Sequence, residues 1–487
     1  MVLQTEPQRS AAGYDRHRIF DSLREEHDYV VDEIEGVLPA QLVGTLYRNG
    51  PGINEVGGKP FAHLFDGHGM ISQFVIEGGR VHYRNRFVRT HKYGMELNAD
   101  RPQTLGFGER GRLRNLIRGP AAGNAANTSV TLCADNLLAL WEGGRPWALD
   151  PDTLETRGEH DFDGALKGVH AFSAHPKYDP RTGEMFNFGV DYVPRARIRT
   201  YRVARDGSMK HLQPVALPFP VMNHDFALTT KHMVFVLDPI VANFRKVLLG
   251  RSSFGGSLRW DPSRPTHIVL VPRDGGKPRT IETDPFFHFH VNNAYEDGTD
   301  TVVDLVRYDD YSIGENSLKE FRTGGFDEPS ALWRLRVKPS GEVESEQLCP
   351  WHGEFPQHDW RRTTTGHRYA YMAGGEGTIV TSGIIKVDHE TSDSKLHDFG
   401  AGHVAGEPIF VPRSPDSAED DGWLLSVVYA AAEHRSRLVV LDARDVEGDP
   451  VAVAHLRHHV PLGFHGTFTR RVAAPNGATV SANGASA

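Results

Sequence analysis

Cysteine is almost absent from this chain: Cys133 and Cys349 are the only two among 487 residues. Two thiols cannot build the disulfide framework of a small secreted scaffold, so a reducing cytoplasm is the expected compartment. Long apolar runs are missing too. None approaches the roughly 18–20 residues that span a bilayer, and the opening MVLQTEPQRSAAGYDRHRIF lacks the apolar centre of a secretory signal. Positive charge is not in excess. A formal net charge of -9 with no basic stripe excludes a nucleic-acid partner. Short catalytic signatures are lacking as well, with no H-E-x-x-H, Walker loop or G-x-S-x-G. GFGERG (106–111) matches G-x-G-x-x-G by letter, but no strand precedes it and no acidic residue follows at the required spacing, so it reads as a loop.

What the chain does have is a repeated hairpin pattern of a β-rich run, a polar turn and a second run. It occurs at 73–88, 146–158, 199–212, 267–282, 333–348, 383–399 and 437–456. Strand units too small to bury their own faces must stack on copies of themselves. The spacing therefore predicts an all-β, seven-bladed β-propeller over residues 1–487, in preference to an irregular pair of sandwiches. Two segments break the pattern. PIVANFRKVLLG (239–250) and RGRLRNLIRG (110–119) mix basic and aliphatic residues and read as short amphipathic helices. They are either insertions capping the propeller or surfaces for transient membrane contact. Residues 1–12 and about 470–487 are expected to be flexible.

Histidine is plentiful, at 26 residues, so a single one carries little weight. Those in apolar or backbone-restricting contexts are more informative: His175 in FSAHPKYDP, His224 in VMNHDFALTT, His288 and His290 in FHFHVNNAYED, and His465 in PLGFHGTF. Their separations place them in different blades, and the innermost strands of a propeller converge on its axis. An all-imidazole site suits iron, copper or zinc, whereas calcium and magnesium demand oxygen ligands. A ligating imidazole also needs an acceptor for its other N–H. Glu142 in LLALWEGG, Glu354 in WHGEFPQ and Glu407 in AGEPIFVP are carboxylates in apolar surroundings that could serve.

Taken in order, GTLYRNGPG, FDGHGM, YRNRFVRT, NTSV, LLALWEGG, AHPKYDP, NHDFALT, HVNNAYEDG, EFPQ, EPIFVPR and GFHGTF resemble the motifs of the carotenoid cleavage oxygenase family, from residue 44 to residue 468. The resemblance implies a seven-bladed propeller with Fe(II) on its axis. It implies His175, His224, His290 and His465 as ligands, and Glu142, Glu354 and Glu407 as acceptors from His224, His290 and His465 respectively. His175 has no such acceptor in the pattern. His288 is then expected to line the site without binding metal. His68, in FDGHGM, replaces the family's usual acidic residue without loss of iron. No catalytic side chain beyond the metal centre is implied.

The activity implied is cleavage of a conjugated C=C bond by dioxygen. Thr128 corresponds to a position crowding an open coordination site, and Phe61, Trp141, Phe289 and Phe464 are placed along the substrate tunnel. Lignostilbene cleavers of this family usually carry lysine where this chain has Trp141. An apolar ring there favours a carotenoid or apocarotenoid over a phenolic stilbene. The alternatives are a stilbene dioxygenase and a non-catalytic carotenoid-binding propeller.

Overall fold

The computed structural model describes residues 14–109, 123–168, 170–192, 195–375 and 379–474. The expected helix at 110–119 and most of the expected flexible ends lie outside these residues. Arg470–Ala474, expected to be flexible, are instead anchored: Arg470 Nη1 donates to Gln41 O at 2.8 Å and Ala473 N to Thr45 Oγ1 at 3.0 Å.

Among the described residues, seven antiparallel sheets of four or more strands follow one another along the chain, and each predicted hairpin is found in one of them. In blade five, for example, Ser330–Val337 pairs with Val343–Gln347 around a polar turn. The ring is closed twice. The C-terminal strand Gly466–Thr469 pairs with Gly44–Ile53, an inner strand of the first blade. The N-terminal strand Glu33–Gly36 adds to the outer edge of the last blade, against Ala452–His455. Each end of the chain thereby locks the other.

Strand alternation explains how the blades stack. In His232–Leu237, Met233, Phe235 and Leu237 join a core with Phe186, Phe188 and Ile198 of the preceding blade. Val234 and Val236 point the other way, into a core with Val303, Leu305 and Leu335 of the following blade. A sheet covered on both faces needs apolar residues at every position, which is why this strand reads as a continuous hydrophobic run and not an alternating one.

The expected helix at 239–250 is split in the structure. Ile240–Ala242 is a strand paired with Leu258–Trp260. Asn243 then caps a one-turn helix, Phe244–Leu248, and Ser253 caps a second, Phe254–Ser257. Phe244, Val247 and Phe254 of these short insertions line a cavity described below. Among the described residues no helix is long and apolar enough to cross a membrane.

Candidate metal centre and substrate cavity

The residues predicted to bind metal sit at the inner ends of different blades. His175 precedes the strand Lys177–Tyr178, His224 precedes Ala227–Leu228, His290 lies within Phe287–Asp297, and His465 directly precedes Gly466–Thr469. All four are buried, and one ring nitrogen from each lies within 4.8 Å of the others. His224 Nε2 is 3.0 Å from His175 Nε2 and 3.1 Å from His290 Nε2.

The outer nitrogens are held by carboxylates. Glu142 contacts His224 Nδ1, Glu354 Oε2 lies 2.5 Å from His290 Nδ1, and Glu407 Oε1 lies 2.9 Å from His465 Nδ1. No carboxylate bonds the His175 ring among the described residues. These contacts fix the tautomers. With Nδ1–H donated outward, neutral His224 and His290 turn Nε2 lone pairs toward each other at 3.1 Å. Facing lone pairs repel, and a shared cation removes the repulsion. Ligands about 2.1 Å from a metal and at right angles to each other stand about 3.0 Å apart, in keeping with the observed spacings. The donor set therefore fits a transition metal that retains open positions.

Burial opposes charge on His175, and the neighbouring imidazoles add to it, so its pKa falls well below the usual value. Burial also opposes charge on His224, but Glu142, Asp225 and Glu354 together override it and raise the pKa. Burial lowers the His465 pKa to about 4, with Glu407 working against the shift. His63, buried elsewhere, is held at about 3. Depressed histidine pKa values mean that the unfolded chain takes up protons the folded chain refuses. Their contribution to stability is present above pH 6.5 and is lost as pH falls toward 3–4. Asp66, raised to about 6 by burial, and His224, raised by its carboxylates, act in the opposite sense, whereas His68 and His367, held well below the usual value, act with the first group. Thermal unfolding of the protein stripped of metal should show a midpoint that drops between pH 7 and pH 4. A flat profile would contradict this.

An apolar cavity of about 610 Å³ is lined by three of the four histidines, His224, His290 and His465, and lies within the range of small-molecule sites. Thr128, Trp141, Phe289 and Phe464 all line it. Phe61 does not. Its backbone N donates to Asn54 O at 3.0 Å, which turns the ring into a separate core with Ile53, Met70 and Phe87, beneath the Lys92 ammonium. Phe65, four residues on, takes the tunnel position, edge-on to Phe464 with ring centroids 5.6 Å apart.

His288 is also displaced from its expected place. The pairing register shifts between His288 and Val291, which breaks the two-residue alternation and lets consecutive Phe289 and His290 both face the cavity. His288 Nδ1 instead lies 2.8 Å from Asp238 Oδ2, and its backbone N donates to the same carboxylate at 3.0 Å. His68 is buried beside Phe61, with Nε2 3.5 Å from Glu96 Oε2, in a group that also holds the Lys92–Glu96 ion pair at 2.6 Å.

Three supporting residues were not singled out from sequence. Arg48 pairs with Glu407, Gln357 Nε2 donates to Glu407 Oε1 at 2.9 Å, and Tyr308 OH donates to Glu354 Oε1 at 2.9 Å. Arg48 had a signal, a cation inside the apolar strand GTLYRNGPGI. Tyr308 had none.

Fold and site together define a propeller with a buried group of four histidines that could hold a metal ion, three of them lining an apolar cavity. The chain belongs to the retinal pigment epithelial membrane protein family, the carotenoid oxygenases, whose profile matches residues 20–470. It is 36% identical over 479 residues to the apocarotenoid-15,15'-oxygenase of Synechocystis, covering 95% of this chain and 98% of that protein. It is 32% identical to the isoeugenol monooxygenase of Pseudomonas putida, covering 90% and 94%. A glutamate-to-aspartate variant of the Synechocystis apocarotenoid oxygenase superposes with a TM-score of 0.88 at 35% identity, covering 95% of this chain and all of that one.

Proposed function

We propose that the protein is an Fe(II)-dependent dioxygenase that cleaves a conjugated C=C bond of a carotenoid or apocarotenoid. The observation that carries this reading is the placement of four clustered imidazoles, three of them held by carboxylates, beside an aromatic-walled cavity. Bound Fe(II) supplies the activation of dioxygen, and an all-neutral ligand set leaves its charge undiminished. The reaction balances as R–CH=CH–R′ + O2 → R–CHO + O=CH–R′, with the double bond broken and one oxygen atom in each product.

The chain's own residues position and shield. Phe65, Phe289, Phe355 and Phe464 press on the flat faces of a polyene and exclude water from the scissile bond. Thr128, at the cavity wall with Oγ1 3.3 Å from Asn127 Oδ1, limits the space beside the metal position. Glu142, Glu354 and Glu407 are engaged by the histidines, so none serves as a general acid or base. Leu249, 64% exposed in a segment that also carries Arg245, Lys246 and Arg251, suits transient contact with a membrane from which a poorly soluble substrate is drawn.

A second reading, a phenolic alkene as substrate, draws on the likeness to isoeugenol monooxygenase. Trp141 weighs against it, because an indole cannot stabilise a phenolate as an ammonium would. The two are separated by aerobic incubation of iron-loaded protein with a long apocarotenal, an intact carotene and a 4-hydroxystilbene. Aldehydes from the polyenes are expected, and their chain lengths identify the bond broken. Benzaldehydes from the stilbene alone would favour the second reading. No product from any would favour a binding protein.

A further inference from the structure

The cavity has one polar flank amid its apolar wall. Arg145, Glu159, Gly168, His170 and Asp191 contribute to it, all from turns and strand ends of blades two and three. Most of these groups are already engaged. Asp191 Oδ2 accepts from Arg197 Nε at 2.9 Å and Arg199 Nε at 2.7 Å. Arg145 Nη2 donates to Gly168 O at 3.0 Å. Arg145 Nη1 makes no hydrogen bond among the described residues, and Glu159 Oε2 stands 3.9 Å from it, beyond hydrogen-bonding distance.

The backbone holds this pair in place. Asn124 Nδ2 donates to Arg145 O at 2.8 Å, Phe172 N donates to Gly144 O at 3.0 Å, and Glu159 pairs with Trp147 across the blade edge. Arg145 follows Glu142, which contacts His224, by three residues, so their Cα atoms are at most about 11 Å apart. The polar pair thus lines the same cavity as His224, His290 and His465.

Resting on the polyene reading above, we propose that Arg145 and Glu159 form a subsite for a neutral, oxygen-bearing end group of the substrate, with a hydroxyl fitting best. A hydroxyl oxygen placed between them accepts from Arg145 Nη1 and donates to Glu159 Oε2, because two ordinary hydrogen bonds of about 2.8 Å span a 3.9 Å gap. A carbonyl uses only the guanidinium. A carboxylate gains Arg145 but faces the Glu159 charge. A methyl end desolvates both groups and satisfies neither. Arg145 and Glu159 are positioning and specificity residues, remote from the bond that breaks.

The test is equilibrium binding under nitrogen, read by quenching of tryptophan emission, with four polyenes of equal length ending in alcohol, aldehyde, carboxylate and methyl. Wild-type protein should bind the alcohol about tenfold more tightly than the methyl-terminated chain, one hydrogen bond to a charged group being worth about that ratio. Arg145→Met should bring the ratio close to one. Glu159→Gln should keep the aldehyde's advantage and improve carboxylate binding. An alcohol-to-methyl ratio near one in wild type, or the same ratio in wild type and Arg145→Met, overturns the subsite. Binding of all four polyenes with equal affinity overturns the subsite alone. Binding of none overturns the polyene reading and the subsite with it.

Discussion

Replacing Glu354 by Gln should lower both iron affinity and turnover by about 10–100-fold, the usual consequence of losing an acceptor behind a ligating imidazole. Glu354 is 1% exposed, and its two oxygens serve three donors. Oε2 faces His290 Nδ1 at 2.5 Å and also accepts from Phe355 N at 2.6 Å, while Oε1 accepts from Tyr308 OH at 2.9 Å. A carboxamide has one acceptor oxygen. If that oxygen stays with His290, the new NH2 meets Tyr308, whose hydroxyl must then turn to accept. If the amide flips, NH2 faces both His290 Nδ1–H and the Phe355 N–H. The first arrangement keeps the tautomer but loses the negative charge that makes His290 a better donor to metal. Tyr308→Phe removes only the outer hydrogen bond and should reduce affinity much less. Chelator competition for iron, with kcat measured beside it, checks the order of effects. Equal affinities in wild type and Glu354→Gln would contradict the role assigned to Glu354.

Arg48→Met should destabilise the fold by about 3–5 kcal/mol, because it leaves a buried carboxylate without its cation. Arg48 is 5% and Glu407 1% exposed. Arg48 Nη1 contacts Glu407, and Nη2 donates to Phe464 O at 3.2 Å. Burial alone would raise the Glu407 pKa, but Arg48 first and His465 second override it and hold the pKa below the usual carboxylate value. That depressed pKa contributes stability above the unfolded-state value of 4.5, and the contribution disappears as pH falls through the folded-state pKa. Without Arg48 the pKa rises and the contribution shrinks. Urea unfolding at pH 7 reads the difference. Arg48→Met combined with Glu407→Gln should recover part of the loss, since the stranded charge is then gone. A single substitution that costs less than about 1 kcal/mol, the worth of an exposed pair, would show that the ion pair carries little.

The outer hairpins were legible because each has a polar turn between two β-rich runs, as in residues 338–342 between Ser330–Val337 and Val343–Gln347. Some inner strands were not. Lys177–Tyr178 and Ala227–Leu228 are two residues long, too short to show any periodicity. The histidines could be read because each stands in an unusual local context, and their meeting follows from blade geometry. What sequence could not give was local departure from regularity. The register shift after His288 reverses the face that alternation assigns to it. A backbone hydrogen bond to Asn54 turns Phe61 away and leaves the cavity to Phe65. Long-range partners were equally hidden: Arg48 and Glu407 lie 359 residues apart in the chain and meet only because the C-terminal strand closes onto the first blade.

Everything proposed for this protein depends on one iron held by four imidazoles, and anaerobic titration with Fe(II) addresses that most directly. Protein stripped of metal should bind one Fe(II) per chain tightly, and His175→Ala, His224→Ala, His290→Ala and His465→Ala should each lose that tight binding while keeping the wild-type circular dichroism spectrum. Tight binding that survives removal of these histidines, or wild-type protein that binds no Fe(II), would contradict the assignment.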